Sequence, residues 1–319
     1  MPQAMTAAAP LAVRDAAAVA AALPFERLVP ALREAFASGA QVPMRHHHAI
    51  ERPGEPTATL LLMPAWQERF LGVKLVNIFP GNAAQGLPAL HSTYLLSDGR
   101  TGQPIALLDG NEITGRRTVA TAALAASYLA RPEASSLLLV GAGRIGSLTA
   151  AAMRAVRPIR RVTVWNPTPP RAVALVERLR CEGFEAELAG ELRQAVEAAD
   201  IVSCATLATE PLIRGEWLRP GVHLDLIGSF TPAMREADAE AIRRAKVFID
   251  SPAALEESGD LIPLLREGVL CAEEVVTLAA LCRGDHPGRT AADAITVFKA
   301  VGTALADLAA ARLVAAAAL

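Results

Sequence analysis

Leu137-Leu138-Leu139-Val140-Gly141-Ala142-Gly143-Arg144-Ile145-Gly146 is the stretch that decides the fold. A short apolar run ends on three glycines spaced Gly-x-Gly-x-x-Gly, and a small-residue segment, 147–155, follows. The run reads as a buried strand and the segment as a helix packed close against it. Gly141 permits the tight turn, Gly143 lets the backbone approach a pyrophosphate, and Gly146 lets the helix sit near the sheet. The helix N-terminus then faces the phosphates. The chemistry so indicated is dinucleotide binding, with Gly141, Gly143, Arg144, Ile145 and Gly146 as candidate cofactor contacts.

Downstream, strand candidates at 161–165, 184–188, 201–205, 223–227 and 246–249 alternate with helical stretches. Such alternation implies a parallel sheet covered on both faces, an α/β doubly wound Rossmann domain. Ala205, Thr206, Gly228 and Ser229, where the later strands end, are further candidate cofactor contacts. The second strand ends at Trp165-Asn166, where an NAD-selective site carries an acid for the ribose hydroxyls. Asn166, Thr168 and Arg171 stand there instead, with Arg144 nearby, which suits the 2′-phosphate of NADP over NAD.

Upstream, apolar residues recur at helical spacing over 24–37, and short apolar runs at 57–63, 71–76, 93–97 and 104–108 are bounded by Pro, Gly and Asn. They predict a second, α+β domain with a mixed or antiparallel sheet. Thr114 reads as the N-cap of a helix over 115–129, closed by Pro132. The expected division is a substrate-binding and dimerisation domain at 1–115, completed by a C-terminal helix at 291–319, and a dinucleotide domain at 116–290.

Composition narrows the function further. The net charge of −2 over 319 residues, with scattered basic residues, leaves no footprint for nucleic acid and favours a small-molecule partner. The four cysteines lack Cys-x-x-Cys spacing, as expected of reduced thiols in a cytoplasmic protein. The alanine-rich start has no basic leader and meets Arg14 and Asp15, so it reads as a tail and a helix, not a signal peptide. Charges interrupt the alanine-rich end too often for a membrane span.

The glycine motif lies mid-chain, behind Val42-Pro43-Met44-Arg45, Gly72-Val73-Lys74 and Thr114-Gly115-Arg116-Arg117-Thr118. In this ordered set the chain resembles the ornithine cyclodeaminase/mu-crystallin family over nearly its whole length. The resemblance implies a first domain that binds substrate and forms a homodimer, and a Rossmann domain that binds the cofactor. It places Arg45, Lys74 and Arg117 on the substrate carboxylate. An arginine fork suits a carboxylate, and a lysine can add charge or relay a proton.

Cyclodeaminases carry a Gly-Gly-Asp-type loop whose Asp handles the substrate's second amine. Here the loop is Ile227-Gly228-Ser229-Phe230, and the matching residue is Phe230. A pocket with cations at one end, Phe230 at the other and no acidic side chain where a second amine would rest disfavours a diamino acid. The loop, with Arg45-His46-His47-His48 and Met63-Pro64-Ala65-Trp66, is similar to the bacterial branch that reduces cyclic ketimines to L-proline or L-pipecolate. Alternatives are ornithine cyclodeamination with NAD, alanine oxidation, and a mu-crystallin-like NADPH-dependent binding protein. The retained cations favour catalysis over the last.

Met44 joins Phe230 as a candidate pocket residue. His91 reads equally as a proton donor to substrate and as a structural histidine. Only His46 and His48 of the histidine run share a strand face, so no metal site is expected. Asn77 and Asn82 read as turn residues around Pro80-Gly81, and Trp66 and Phe79 as core.

Overall fold

The computed structural model describes residues 11–67 and 69–317, so the expected tail over the first ten residues and the last two of the expected terminal helix lie outside it. The chain separates into two compact units. One comprises Met1–Pro24, Ala40–Thr114 and Ala304–Leu319; the other comprises Phe25–Gly39 and Gly115–Thr303.

From the N-terminus the elements are β1 (Ala12–Arg14), α1 (Ala16–Ala22), α2 (Phe25–Ser38), β2 (His46–Ile50), β3 (Ala58–Gln67), β4 (Phe70–Ile78), β5 (Leu90–Asp98), β6 (Pro104–Asp109) and α3 (Gly110–Leu129). The strands form a six-stranded mixed sheet in the order β1-β6-β5-β4-β3-β2, antiparallel except where β1 runs parallel to β6. Because successive side chains alternate between faces, Leu61, Met63, Val76, Tyr94, Leu96 and Leu108 are buried on one side. Leu60, Leu62, Val73, Leu75, Leu95 and Leu107 on the other are only half-buried or exposed.

The second unit continues with β7 (Ser136–Val140), α4 (Gly146–Arg154), β8 (Arg161–Trp165), α5 (Pro169–Cys181), β9 (Glu185–Leu188), α6 (Leu192–Ala198), β10 (Ile201–Cys204), β11 (His223–Leu226), α7 (Ala239–Arg243), β12 (Lys246–Ile249), α8 (Ala254–Glu257), α9 (Ile262–Arg266), β13 (Val276–Thr277), α10 (Leu278–Arg283) and β14 (Thr296–Lys299). The eight strands are all parallel, ordered β13-β12-β14-β11-β10-β7-β8-β9. Chain direction across the sheet reverses between β7 and β10, and ligands of open α/β sheets sit beyond the carboxyl ends of strands at such a switch point.

Four local expectations are corrected. The terminal segment is not one helix: β14 inserts between β12 and β11, and α11 (Ala304–Ala316) begins only after Gly302, which sits at φ 84°. Thr296-Val297-Phe298 is a β-branched and aromatic run hidden among alanines. Helix α3 starts at Gly110, not near Thr114, because the Asp109 carboxylate accepts from the Glu112 amide and caps it earlier. Asn77 lies within β4 and Trp66 is 39% exposed on the outer sheet face, so neither has the turn or core place its neighbours imply. Helix α11 lies across the covered face of the six-stranded sheet, against β4 and β3 above all. Among the described residues no helix is long and apolar enough to cross a membrane.

Candidate active site

The glycine loop builds a cradle by close backbone approach. Gly141 has φ 111°, and a Cβ there would lie 2.6 Å from the Ala205 carbonyl oxygen and 3.2 Å from Thr206 Cγ2. A Cβ on Gly146 would collide with the Gly141 carbonyl, while Gly143 faces open space with nothing within 4 Å. Two glycines are therefore needed for packing and the middle one leaves room for a phosphate, as a dinucleotide requires. Ile145 stands at the N-cap of α4, half-buried, and its carbonyl accepts from the Thr149 hydroxyl. Arg144 is exposed, its Nε 3.2 Å from where a Cβ on Gly115 would be.

Asn166 braces this loop. Its Oδ1 accepts from the Ala142 amide at 3.0 Å, and its Nδ2 donates to the Thr168 carbonyl at 3.0 Å. Its amide is thus engaged on both ends by the protein, while Arg144, Thr168 and Arg171, the last in the first turn of α5, are exposed.

Glu236, to which the sequence assigns no role, ties the strand-end loops together. Its Oε1 accepts from the Thr206 amide at 2.7 Å and hydroxyl at 2.8 Å, and its Oε2 accepts from the Gly228 amide at 2.7 Å. Asp260 accepts in turn from the Glu236 and Ala237 amides, and Lys299 Nζ lies 3.2 Å from the Asp260 Oδ2. Burial raises the Glu236 carboxyl, with Lys299 opposing. An acid followed by Ala-Asp in a polar loop gives no signal of burial, which is why periodicity misses it. The buried Ser229 hydroxyl donates to the Met234 carbonyl, so it shapes the Phe230 loop from within.

The substrate-side candidates fall in both units. Lys74 sits mid-strand in β4, 2% exposed, with Nζ 2.8 Å from Oδ2 of Asp307 on α11. An acid thus touches one of the three cations, which corrects the expectation of an acid-free cationic end; Asp307 escapes sequence reading because it arrives from the far end of the chain. Tyr94 is the cross-strand partner of Lys74, and its ring lies over Gly72, where a Cβ would collide with the hydroxyl.

In the second unit Arg117 on α3 is buried, its guanidinium beside Gly302: a Cβ there would come within 2.7 Å of Nη1. The Asp250 carboxylate accepts from the Val301 and Gly302 amides at 3.1 and 2.6 Å and holds that turn. Arg45 is half-buried just before β2, Met44 is 79% exposed and Phe230 44% exposed. His91 pairs in register with Asn77, which strand alternation puts on the face opposite Lys74, and it is exposed. The structure therefore separates His91 from Lys74. His46 and His48 share a face with ring centroids 6.4 Å apart, and both are exposed.

A parallel sheet with a switch point and a glycine cradle with room for a pyrophosphate mark a dinucleotide-binding domain of the Rossmann class, and with the relatives that follow the chain is an NAD(P)-dependent oxidoreductase. The family model described as "Ornithine cyclodeaminase/mu-crystallin family" matches residues 11–319, and the chain belongs to that family. It is 43% identical over 261 residues to a Delta(1)-pyrroline-2-carboxylate reductase of Paracoccus denitrificans, covering 80% of this chain and 82% of that protein. It is 40% identical over 282 residues to Protein SAR DEFICIENT 4 of Arabidopsis thaliana, covering 85% and 86%. The Delta(1)-pyrroline-2-carboxylate reductase of Thermococcus litoralis, solved with NADH and L-proline, superposes with a TM-score of 0.90 at 32% identity, covering 97% of each chain.

Proposed function

We propose that the protein reduces a cyclic ketimine carboxylate, Δ1-pyrroline-2-carboxylate or Δ1-piperideine-2-carboxylate, to L-proline or L-pipecolate. The observation that carries this reading is that Lys74 and Arg117 are each buried cations while the position a cyclodeaminase fills with Asp holds the partly exposed Phe230. Asp307 does not restore that acid. It is fully buried and already engaged by Lys74, so it offers no open carboxylate to a substrate's second amine. The name and ligands of the Thermococcus reductase support the same choice.

In this reading Arg45 and Arg117 grip the substrate carboxylate as guanidinium forks and Lys74 adds a donor. A bound nicotinamide supplies the hydride. The chain's own contribution is orientation, holding the imine carbon at near-attack distance, which is worth several kcal/mol, about 7 to 11 in ideal cases. The imine nitrogen takes its proton from solvent. NADPH is favoured over NADH because Asn166, not an acid, stands at the end of β8, and Arg171 is exposed in the helix that follows. The half-exposed apolar face of the six-stranded sheet, Leu60, Leu62, Val73 and Leu75 among it, supports a homodimer formed through that unit.

Purified protein mixed with NADPH or NADH and either imine is expected to oxidise the nicotinamide. With ornithine and NAD it is expected to release no ammonia. Ammonia release from ornithine with both imines inert would reverse the assignment, and turnover of alanine alone would replace it with amino-acid oxidation.

A further inference from the structure

Strand alternation turns Lys74 to the covered face of its sheet, and α11 lays Asp307 across it at 2.8 Å with both side chains essentially removed from water. Of the elements packed on α11, β3 and α1 contain no charged residue, β4 contains only Lys74, and β6 ends on Asp109, which caps α3. Strand β5 presents Tyr94 beside the pair, while its His91 faces the other way and its Asp98 caps the turn at Arg100 and Thr101. On α11 itself the other charged residue, Arg312, donates to Gln67.

Tyr94 is held well above its ordinary range by burial and by the Asp307 charge, so it stays a neutral phenol and does not compete with the carboxylate for the ammonium. An ammonium buried without a counter-charge sheds its proton, whereas one against a carboxylate keeps it and adds no net charge to the site.

We propose that Asp307 is a positioning residue that keeps Lys74 a permanent ammonium, so that Lys74 serves as a fixed hydrogen-bond donor to substrate and does not supply the proton of the reaction. The claim rests on the reading that Lys74 meets substrate, and it deepens it. Net charge for the substrate carboxylate then comes from the arginines. The imine is protonated from solvent beforehand. The hydride arriving at the imine carbon forms the C–H bond, and the C=N π pair becomes the nitrogen lone pair, so no proton leaves Lys74.

The chain has three lysines, Lys74, Lys246 and Lys299, so lysine labelled with carbon-13 at Cε gives three signals, that of Lys74 assigned by its loss in Lys74→Gln. In the parent the Lys74 signal is expected to stay at the ammonium position up to about pH 10, and in Asp307→Asn to convert to the neutral amine roughly two or more pH units lower. Because the protonated form is the active one, Asp307→Asn should lose imine reduction as pH rises through that transition. Its KM should rise and its NADH affinity should hold.

A parent Lys74 that titrates near neutrality, or an Asp307→Asn protein with the parent's titration and pH profile, overturns the proposal. A parent inert towards both imines strikes the functional reading, while the lysine titration still decides the pair. Should Asp307→Asn not fold, Lys74→Met/Asp307→Leu removes both charges together; a folded double variant with the parent's KM would also overturn it.

Discussion

Replacing Asp225 by asparagine should make the protein more stable above neutral pH and leave it nearly unchanged in acid. Asp225 ends its side chain inside the parallel sheet, fully buried, where Ser203 Oγ donates to one oxygen at 2.6 Å and the other oxygen has no hydrogen-bond partner among the described residues. Burial pushes this carboxyl from 3.8 up to about 7, with the Ser203 hydrogen bond opposing. A group whose folded pKa is raised contributes stability that is complete below its unfolded value and lost as pH rises through the folded value. The window is therefore about pH 4 to 7, and a rise of about three on the pH scale corresponds to a loss on the order of 4 kcal/mol at pH 8.

Asparagine matches the carboxylate in shape, keeps an oxygen for Ser203 and does not ionise, so that loss is absent. In urea unfolding followed by circular dichroism, the variant should gain about 2 to 4 kcal/mol over the parent at pH 8 and less than about 1 at about pH 4. Comparing variant with parent at each pH cancels titrating groups that do not interact with Asp225, such as Asp200, which several hydrogen bonds hold low against its partial burial. A gap that is constant with pH, or one that widens in acid, would refute the argument.

Two further substitutions test the site. Gly146→Ala drives a methyl into the Gly141 carbonyl, so α4 must draw back from the loop; NADH affinity, read by fluorescence titration, should fall at least about tenfold, or about 1.4 kcal/mol. Gly302→Ala meets both a left-handed backbone and the Arg117 guanidinium; it should raise KM for the imine roughly tenfold while NADH affinity changes little, and cost about 1 to 2 kcal/mol of stability. Parent-like NADH binding in the first, or parent-like KM in the second, would remove those glycines from the site.

The chain order of residues was enough to place β7, the glycine loop and α4, because that motif combines an apolar run with glycines whose spacing answers to one backbone geometry. Strand alternation likewise marked β3 to β6 within a few residues. It was not enough for β14, whose short β-branched run is diluted by alanines that suit a helix equally well, and which is a strand because β12 and β11 leave it a slot between them. The same limit governs the site. Lys74 and Arg117 were legible as cations in a pattern, but Asp307, Glu236, Asp250 and Gly302 act through contacts made across long stretches of chain. What sequence alone determined was the local vocabulary, which depends on neighbours one to four residues away. What only the tertiary structure decided was which charges are paired and buried, because the energy of a charge depends on the groups packed around it in space.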